Sequence, residues 1–185
     1  MKTLPNDPRR VLGEGRFARL VAQHGWEWIE RLGSRGAVVI VPITDAGEVV
    51  LVEQYRIPLA GRVIELPAGL VGDLPESLNE DFLDAARREL VEETGFEARS
   101  FELLTEGASS AGLASEIFAL LLATELQRIG PGGGDHSEDI LVHVVPMTEV
   151  HDWLESRRGN GTMIDPKIYA GLYFAHRRRD AHPLA

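Results

Sequence analysis

The segment Gly69–Phe96, GLVGDLPESLNEDFLDAARRELVEETGF, commits this chain to one amphipathic helix with a dense acidic face, and the other elements must pack around it. Ser77 followed three positions later by Glu80 has the form of a capping box, in which hydroxyl and carboxylate each satisfy a backbone N–H at a helix start. Pro75 lies just outside, where its missing donor does no harm. Ala85, Ala86, Leu90 and the arginines Arg87 and Arg88 favour helix, and Gly95 supplies the left-handed residue that commonly closes one. The spacing therefore predicts an end near Thr94.

Phe82, Leu83, Ala86 and Leu90 form an apolar stripe that turns toward a core. Glu89 and Glu93 project together, and Glu92 can join them. Like charges at this spacing weaken an isolated helix by roughly 0.2–0.5 kcal/mol per pair, so a cation is expected among them. Arg88 can serve in part. Mg²⁺ serves more fully, because it takes hard oxygen ligands and is held by one or two carboxylates with waters and substrate phosphates. A merely solvated acidic face is the competing reading, and spacing alone does not separate the two.

At 185 residues, 44% hydrophobic and 26% charged, the chain has the composition of one globular domain. No apolar run is long enough to span a bilayer, and the opening MKTLPNDPRR lacks the hydrophobic segment of a signal peptide. A cytoplasmic protein without membrane contact is expected. Cysteine is absent, which excludes disulfides and thiolate metal sites, and the histidines show no zinc spacing. The formal charge of −10 argues against general nucleic-acid binding, which needs a basic face. A small anionic substrate stays possible, since metal ions and a few arginines can reverse the potential inside a pocket.

Val11 to Leu32 alternates unevenly, with Phe17, Leu20 and Val21, then Trp26 and Trp28 after the His24-Gly25 break, which predicts an N-terminal hairpin. Ala37–Thr44 and Val49–Tyr55 read as strands joined by the turn Asp45–Glu48. Ile64–Leu66 is a short strand running into a Pro67-Ala68-Gly69 turn. Phe101–Leu104, Ile117–Leu126 and Leu141–Val145 are further strands. Helices are predicted over Thr148–Ser156, capped by Thr148, and over Pro166–Arg178, opened by Asp165. Gly130–Gly134 reads as a flexible connection. Helices placed before and after several strands imply a sheet sandwiched between helices. Trp26 and Trp28 would share one strand face, either as a stacking surface for a base or as core or interface packing. Trp153 and Tyr169 read as packing residues, and His136 and His143 as exposed or structural.

Arg88-Glu89-Leu90-Val91-Glu92-Glu93-Thr94-Gly95-Phe96 matches the core RE-U-x-EE-x-G-U of the Nudix box, U being a bulky aliphatic or aromatic residue, and Glu80 falls where that box places its first glutamate. The box has glycine six positions before that glutamate. Leu74 stands there, and Gly69 looks like the displaced glycine at the head of a lengthened loop, an insertion that costs little closure entropy. Over most of its length the chain resembles the ADP-ribose and nucleoside-diphosphate-sugar pyrophosphatase branch of Nudix hydrolases. Glu53-Gln54-Tyr55-Arg56, Glu65-Leu66-Pro67-Ala68-Gly69, Ser110-Ala111-Gly112 with Glu116, and Ser137-Glu138-Asp139-Ile140 before Val142-His143-Val144 carry the likeness. Ala111 replaces the proline of the turn that marks ADP-ribose hydrolases in that branch, which leaves the broader sugar-nucleotide class standing.

The resemblance implies an α/β (α+β) Nudix fold, a mixed β-sheet between helices. Residues 1–36 would be an N-terminal antiparallel β extension through which the branch forms homodimers, and residues 37–185 the Nudix domain. It implies that Glu89, Glu93 and Glu92 hold Mg²⁺, or Mn²⁺, together with the backbone carbonyl of Ala68, while Glu80 and Arg88 orient them. The reaction would split the diphosphate of a nucleoside diphosphate sugar such as ADP-ribose into a nucleoside monophosphate and a sugar phosphate. Glu138 stands in the loop where the branch carries its base; the alternatives are an ordinary loop acid there and a base on the helix, such as Glu92. Arg56 and Glu65 are candidates for contacting substrate, Arg56 through a phosphate or the terminal sugar, and a structural ion pair of Arg56 with Glu53 or Glu65 is the competing reading. The family places base contacts near Trp26 and Trp28, across the dimer.

A sensor that binds a nucleotide sugar without cleaving it is a different class of answer. All four box glutamates and Arg88 stand in register and no DNA-binding helix pair or basic tail is visible, which favours the enzyme. GDP-mannose, a dinucleoside polyphosphate or NADH are alternative substrates, and the absence of cysteine removes the zinc ribbon that usually accompanies the last.

Overall fold

The computed structural model describes residues 7–72, 79–134 and 139–181. Its strands run β1 (Arg10–Glu14), β2 (Ala18–Gln23), β3 (Trp26–Arg31), β4 (Ala37–Pro42), β5 (Glu48–Arg56), β6 (Gly61–Glu65), β7 (Ala68–Leu70), β8 (Phe96–Ala108), β9 (Ile117–Arg128), β10 (Leu141–Pro146) and β11 (Met163–Ile164). The helices are α1 (Phe82–Thr94), α2 (Val150–Gly159) and α3 (Lys167–Ala181). Two four-stranded sheets, ordered β7-β4-β9-β8 and β10-β5-β6-β11, form the body, and β1-β2-β3 is a separate sheet. The β4–β9 and β6–β11 pairs are parallel and the others antiparallel, so the mixed character expected of the fold is present.

Alternation along β4 explains the layering. Val38 and Ile40 face one cluster with Val50, Leu121 and the Ala85, Ala86 and Leu90 stripe of α1. Val39 and Val41 face the opposite cluster, with Leu51, Ile64 and Leu120 against Leu154 of α2 and Ile168 of α3. A strand buried on both faces reads as a continuous apolar run, as Ala37–Pro42 does. Among the described residues no helix is long and apolar enough to cross a membrane.

Several local expectations are corrected. The N-terminal region is a three-stranded meander, not a hairpin. β1 is exposed at every residue, so it buries no face and leaves no alternation to read. The capping-box reading of Ser77 and Glu80 fails at Glu80, since α1 starts at Phe82. Its cap is Asp81, whose carboxylate accepts the N–H groups of Leu83 and Asp84 at 2.9 Å. Ser77, Pro75 and Leu74 lie outside the described residues, as do His136 and Glu138. Ala68–Leu70 is a strand paired with β4 and not a turn. Thr148 does not cap α2, whose first flanking residue is Glu149 with no side-chain cap. Tyr169 is more open than a packing residue, at 39% exposure.

The glycine run after β9 is also not slack. Gly133 and Gly134 donate their N–H groups to the carbonyls of Glu93 and Glu92, at 2.8 and 3.0 Å, satisfying acceptors that the end of α1 would otherwise leave open. A Cβ on Gly132 would stand 2.4 Å from the Thr94 carbonyl carbon, and one on Gly95 only 2.2 Å from the Gly130 oxygen. Glycine is required here for close backbone approach as well as for turning.

Candidate active site

Arg88 organises the acidic face of α1. Its Nε and Nη2 donate to the two oxygens of Glu80 at 3.0 and 3.1 Å, its Nη1 reaches Glu89 at 2.7 Å and Glu92 at 3.3 Å, and Nη2 also reaches the Leu70 carbonyl at 3.1 Å. The hydrogen bonds to Glu80, reinforced by the charge of Glu89, outweigh the burial of the guanidinium and raise its pKa above an already high ordinary value. Its charge is therefore permanent, and it offsets the repulsion among carboxylates at helical spacing.

Glu93 is buried, with 3% of its surface exposed, and its Oε2 accepts the Ala68 N–H at 3.1 Å. The Gly69 backbone presses against Glu89 so closely that a Cβ there would fall 1.8 Å from Oε1. That is the physical reason for glycine at this site: a strand must pass the helix carboxylates at backbone distance. β7 is an edge strand, and its free edge presents Ala68 N–H to Glu93 and the Leu70 carbonyl to Arg88. In an extended strand the N–H and C=O of one residue point the same way, so the Ala68 carbonyl lies on that edge too.

This donor set fits a hard divalent cation. Among the described residues no three acidic or histidine side chains gather as a metal group. Two carboxylates and a carbonyl, completed by water and phosphate oxygens, match the way Mg²⁺ is usually held. Glu92, with its side chain 48% exposed and tied to Arg88, sits at the rim.

The cluster opens into a cleft of about 380 Å³ lined by Arg31, Arg56, Glu65, Ala68, Gly69, Glu89, Glu116, Asp165 and Lys167 among others. Three cations in it are each held by a carboxylate: Arg31 by Glu116, Arg56 by Glu65 and Lys167 by Asp165. Arg56 thus makes the ion pair weighed as its structural role while also lining the cleft. Burial pushes the Glu65 carboxyl up, against the opposing pull of Arg56.

Trp26 and Trp28 line a different cavity, of about 370 Å³, with Gln23, His24 and residues 111–115. Backbone bonds between Ile29 and Leu113 and between Ser115 and Ile29 join that loop to β3. Trp26 is 64% exposed, which removes it from the core. His143 takes the structural one of its two readings: with Arg157 it contacts the buried Glu53, and its ring packs on Trp153 at 5.0 Å. Burial disfavours ionisation of Glu53, yet the bonds from His143 and Arg157 hold its carboxyl below the usual range.

Arg31, Asp165 and Lys167 escape the sequence reading as cleft residues. They come from β3 and the start of α3, far from the box in sequence, and no local spacing marks them.

Residues 33–164 match the NUDIX domain. The chain belongs to the Nudix family. It is 37% identical over 125 residues to the methanol dehydrogenase activator of Bacillus methanolicus, a match covering 66% of this chain and 64% of that protein. It is 31% identical over 176 residues to the ADP-ribose pyrophosphatase of Mycobacterium tuberculosis, covering 94% and 75% respectively. The chain thus spans less than two thirds of the first of these relatives. A crystal structure of an ADP compounds hydrolase superimposes with a TM-score of 0.72, covering 99% of both chains at 21% identity, which shows the shared fold.

Proposed function

We propose that this Nudix chain hydrolyses the diphosphate bond of a nucleoside diphosphate sugar such as ADP-ribose, releasing a nucleoside monophosphate and a sugar phosphate. The observation that carries the reading is the Arg88-centred carboxylate cluster on α1, facing the β7 edge and opening into a cleft ringed by three cations. The name of the mycobacterial relative, aligned along almost the whole chain, points to the same substrate class.

In this reading Glu89, Glu93 and the Ala68 carbonyl hold Mg²⁺, with Mn²⁺ as the alternative hard cation and Glu92 as a further donor. When bound, such a cation supplies charge neutralisation and Lewis acidity at the diphosphate. Glu80 and Arg88 fix the carboxylates in place. Arg31 and Arg56 meet the phosphate oxygens, and Arg56 together with Glu65 borders the terminal sugar. Trp26 and Trp28 stack on the base, since an exposed aromatic pair beside an open cavity supplies contact area at low entropic cost. Glu138, outside the described residues, accepts the proton of the attacking water as the bond from phosphorus to the bridging oxygen breaks.

The functional form in this reading is a cytoplasmic homodimer. Residues 1–36 form the dimerisation extension, supported by Val11 and Leu12 on the separate N-terminal sheet and Phe17 in its β1–β2 turn, which leave between 47% and 64% of their surfaces exposed.

The test is phosphate release, after phosphatase coupling, from ADP-ribose, GDP-mannose, UDP-glucose, ADP-glucose and dinucleoside polyphosphates, with Mg²⁺ and with EDTA. Metal-dependent cleavage, fastest for ADP-ribose, is expected. Tight binding of one compound with cleavage of none would make the chain a sensor.

A further inference from the structure

The cleft has two differently furnished ends. Toward β3, Arg31 and Glu116 adjoin the tryptophan cavity, because Arg31 follows Trp28 on the same strand and Glu116 follows Ser115 of that cavity's wall. At the other end Glu65 and Asp165 are walls shared with a second open cavity, of about 590 Å³, that also includes Leu59, Met163 and Tyr169.

Lys167 stands at this far end. Asp165 accepts its backbone N–H through Oδ1 at 2.7 Å and its ammonium through Oδ2 at 2.5 Å, while the Lys167 side chain keeps 36% of its surface exposed. Arg56 is 2.7 Å from Glu65 beside it. Arg56, Asp165 and Lys167 all act electrostatically on the Glu65 carboxyl, so the four charges form one cluster. Asp165 caps α3 through its other oxygen, and helix capping alone gives no reason for a lysine whose side chain lines the cleft. An ammonium has three donors, and Asp165 engages one.

Resting on the substrate class proposed above, we infer that Lys167, with Arg56, binds the phosphate that leaves with the sugar, so that the Asp165 end of the cleft is the sugar-phosphate subsite. A diphosphate laid along the cleft with its base at the β3 end, which adjoins the proposed dimerisation extension and so the tryptophans of either protomer, puts the nucleoside phosphate near Arg31 and the second phosphate near Lys167. A compact ammonium on a flexible stem suits a phosphate whose oxygens turn during cleavage. Asp165 steers that stem without consuming its remaining donors.

The decisive experiment is calorimetric titration of ribose 5-phosphate and, separately, of AMP into the Mg²⁺-loaded wild type, Lys167→Met and Lys167→Arg, with thermal melts to confirm folding. Lys167→Met is expected to weaken ribose 5-phosphate about tenfold, the loss of one charge-assisted hydrogen bond, and AMP by less than about twofold. Lys167→Arg is expected to recover most of the affinity. Equal weakening of both ligands would reduce Lys167 to a structural partner of Asp165. Unchanged ribose 5-phosphate affinity in Lys167→Met, or no binding of it to the wild type, would overturn the inference. Cleavage of ADP-ribose by the wild type is scored separately, so a chain that binds both products and cleaves nothing would count against the proposed reaction alone.

Discussion

Gly69 and Glu53 show how single residues in this fold serve opposite ends, one chemical and one structural. An alanine Cβ at residue 69 would overlap Glu89 from its Cγ, at 2.4 Å, to its Oε1, at 1.8 Å. Gly69→Ala should therefore swing Glu89 aside, break its 2.7 Å bond from Arg88, and lower turnover by about a hundredfold, the usual consequence of a misplaced active-site group. Parallel melts and kinetics check it, and full activity would show that Glu89 tolerates displacement. Glu53 behaves differently, being 3% exposed and held by Arg157 and His143. Its folded pKa lies below its unfolded value of about 4.3, so its stabilisation is present above that pH and is lost as pH falls through the folded pKa. Glu65, raised by burial, works the other way: its contribution is present below the ordinary carboxylate value and is lost as pH rises through the folded pKa. Urea unfolding of Glu53→Gln should show a smaller drop in stability between about pH 7 and about pH 3 than the wild type, because an unfolded glutamate titrates inside that window, near about 4.3. An unchanged drop would remove Glu53 from the acid response.

Helix α1 is the most legible element, because an amphipathic stripe, a run of good helix formers and a closing glycine all agree on it. Its start is harder to read because Ser77 and Asp81 both precede an acidic residue by three positions, and only packing decides which of them caps. β1 and the last residues of β9 escape the sequence because their exposed residues carry no burial signal. The glycine run misleads for a different reason: in sequence, glycine for slack and glycine for close approach look alike. Gly132 separates them. Its Cβ would meet the backbone of Thr94 and Glu93, at 2.4 and 2.7 Å, and its φ is +70°. Gly132→Ala should therefore cost about 1–3 kcal/mol, as expected of backbone forced into strain, read as a lowered melting temperature. A wild-type melt would mean that the run is as loose as its composition suggests.

Across the whole molecule, the box and the Glu53–Arg56 and Glu65–Gly69 segments are enough to read the family and the layered fold. The cleft's cations are not legible as a group, since Arg31, Arg56 and Lys167 meet only when β3, β5 and α3 pack together. The N-terminal sheet supplies a test at this scale. Phe17→Asp, at a residue 64% exposed, should shift the proposed dimer to monomer in light scattering at equal concentration, and an unchanged mass would place the interface elsewhere. The most direct test remains the proposed metal site. Glutamine at residue 93 can still accept the Ala68 N–H, so Glu93→Gln should fold and melt as the wild type does. The first measurement is ADP-ribose cleavage by the wild type and by Glu93→Gln, each with Mg²⁺ and with EDTA. Turnover confined to the Mg²⁺-loaded wild type is expected; near-normal turnover by the variant, or cleavage that survives EDTA, would contradict the carboxylate site.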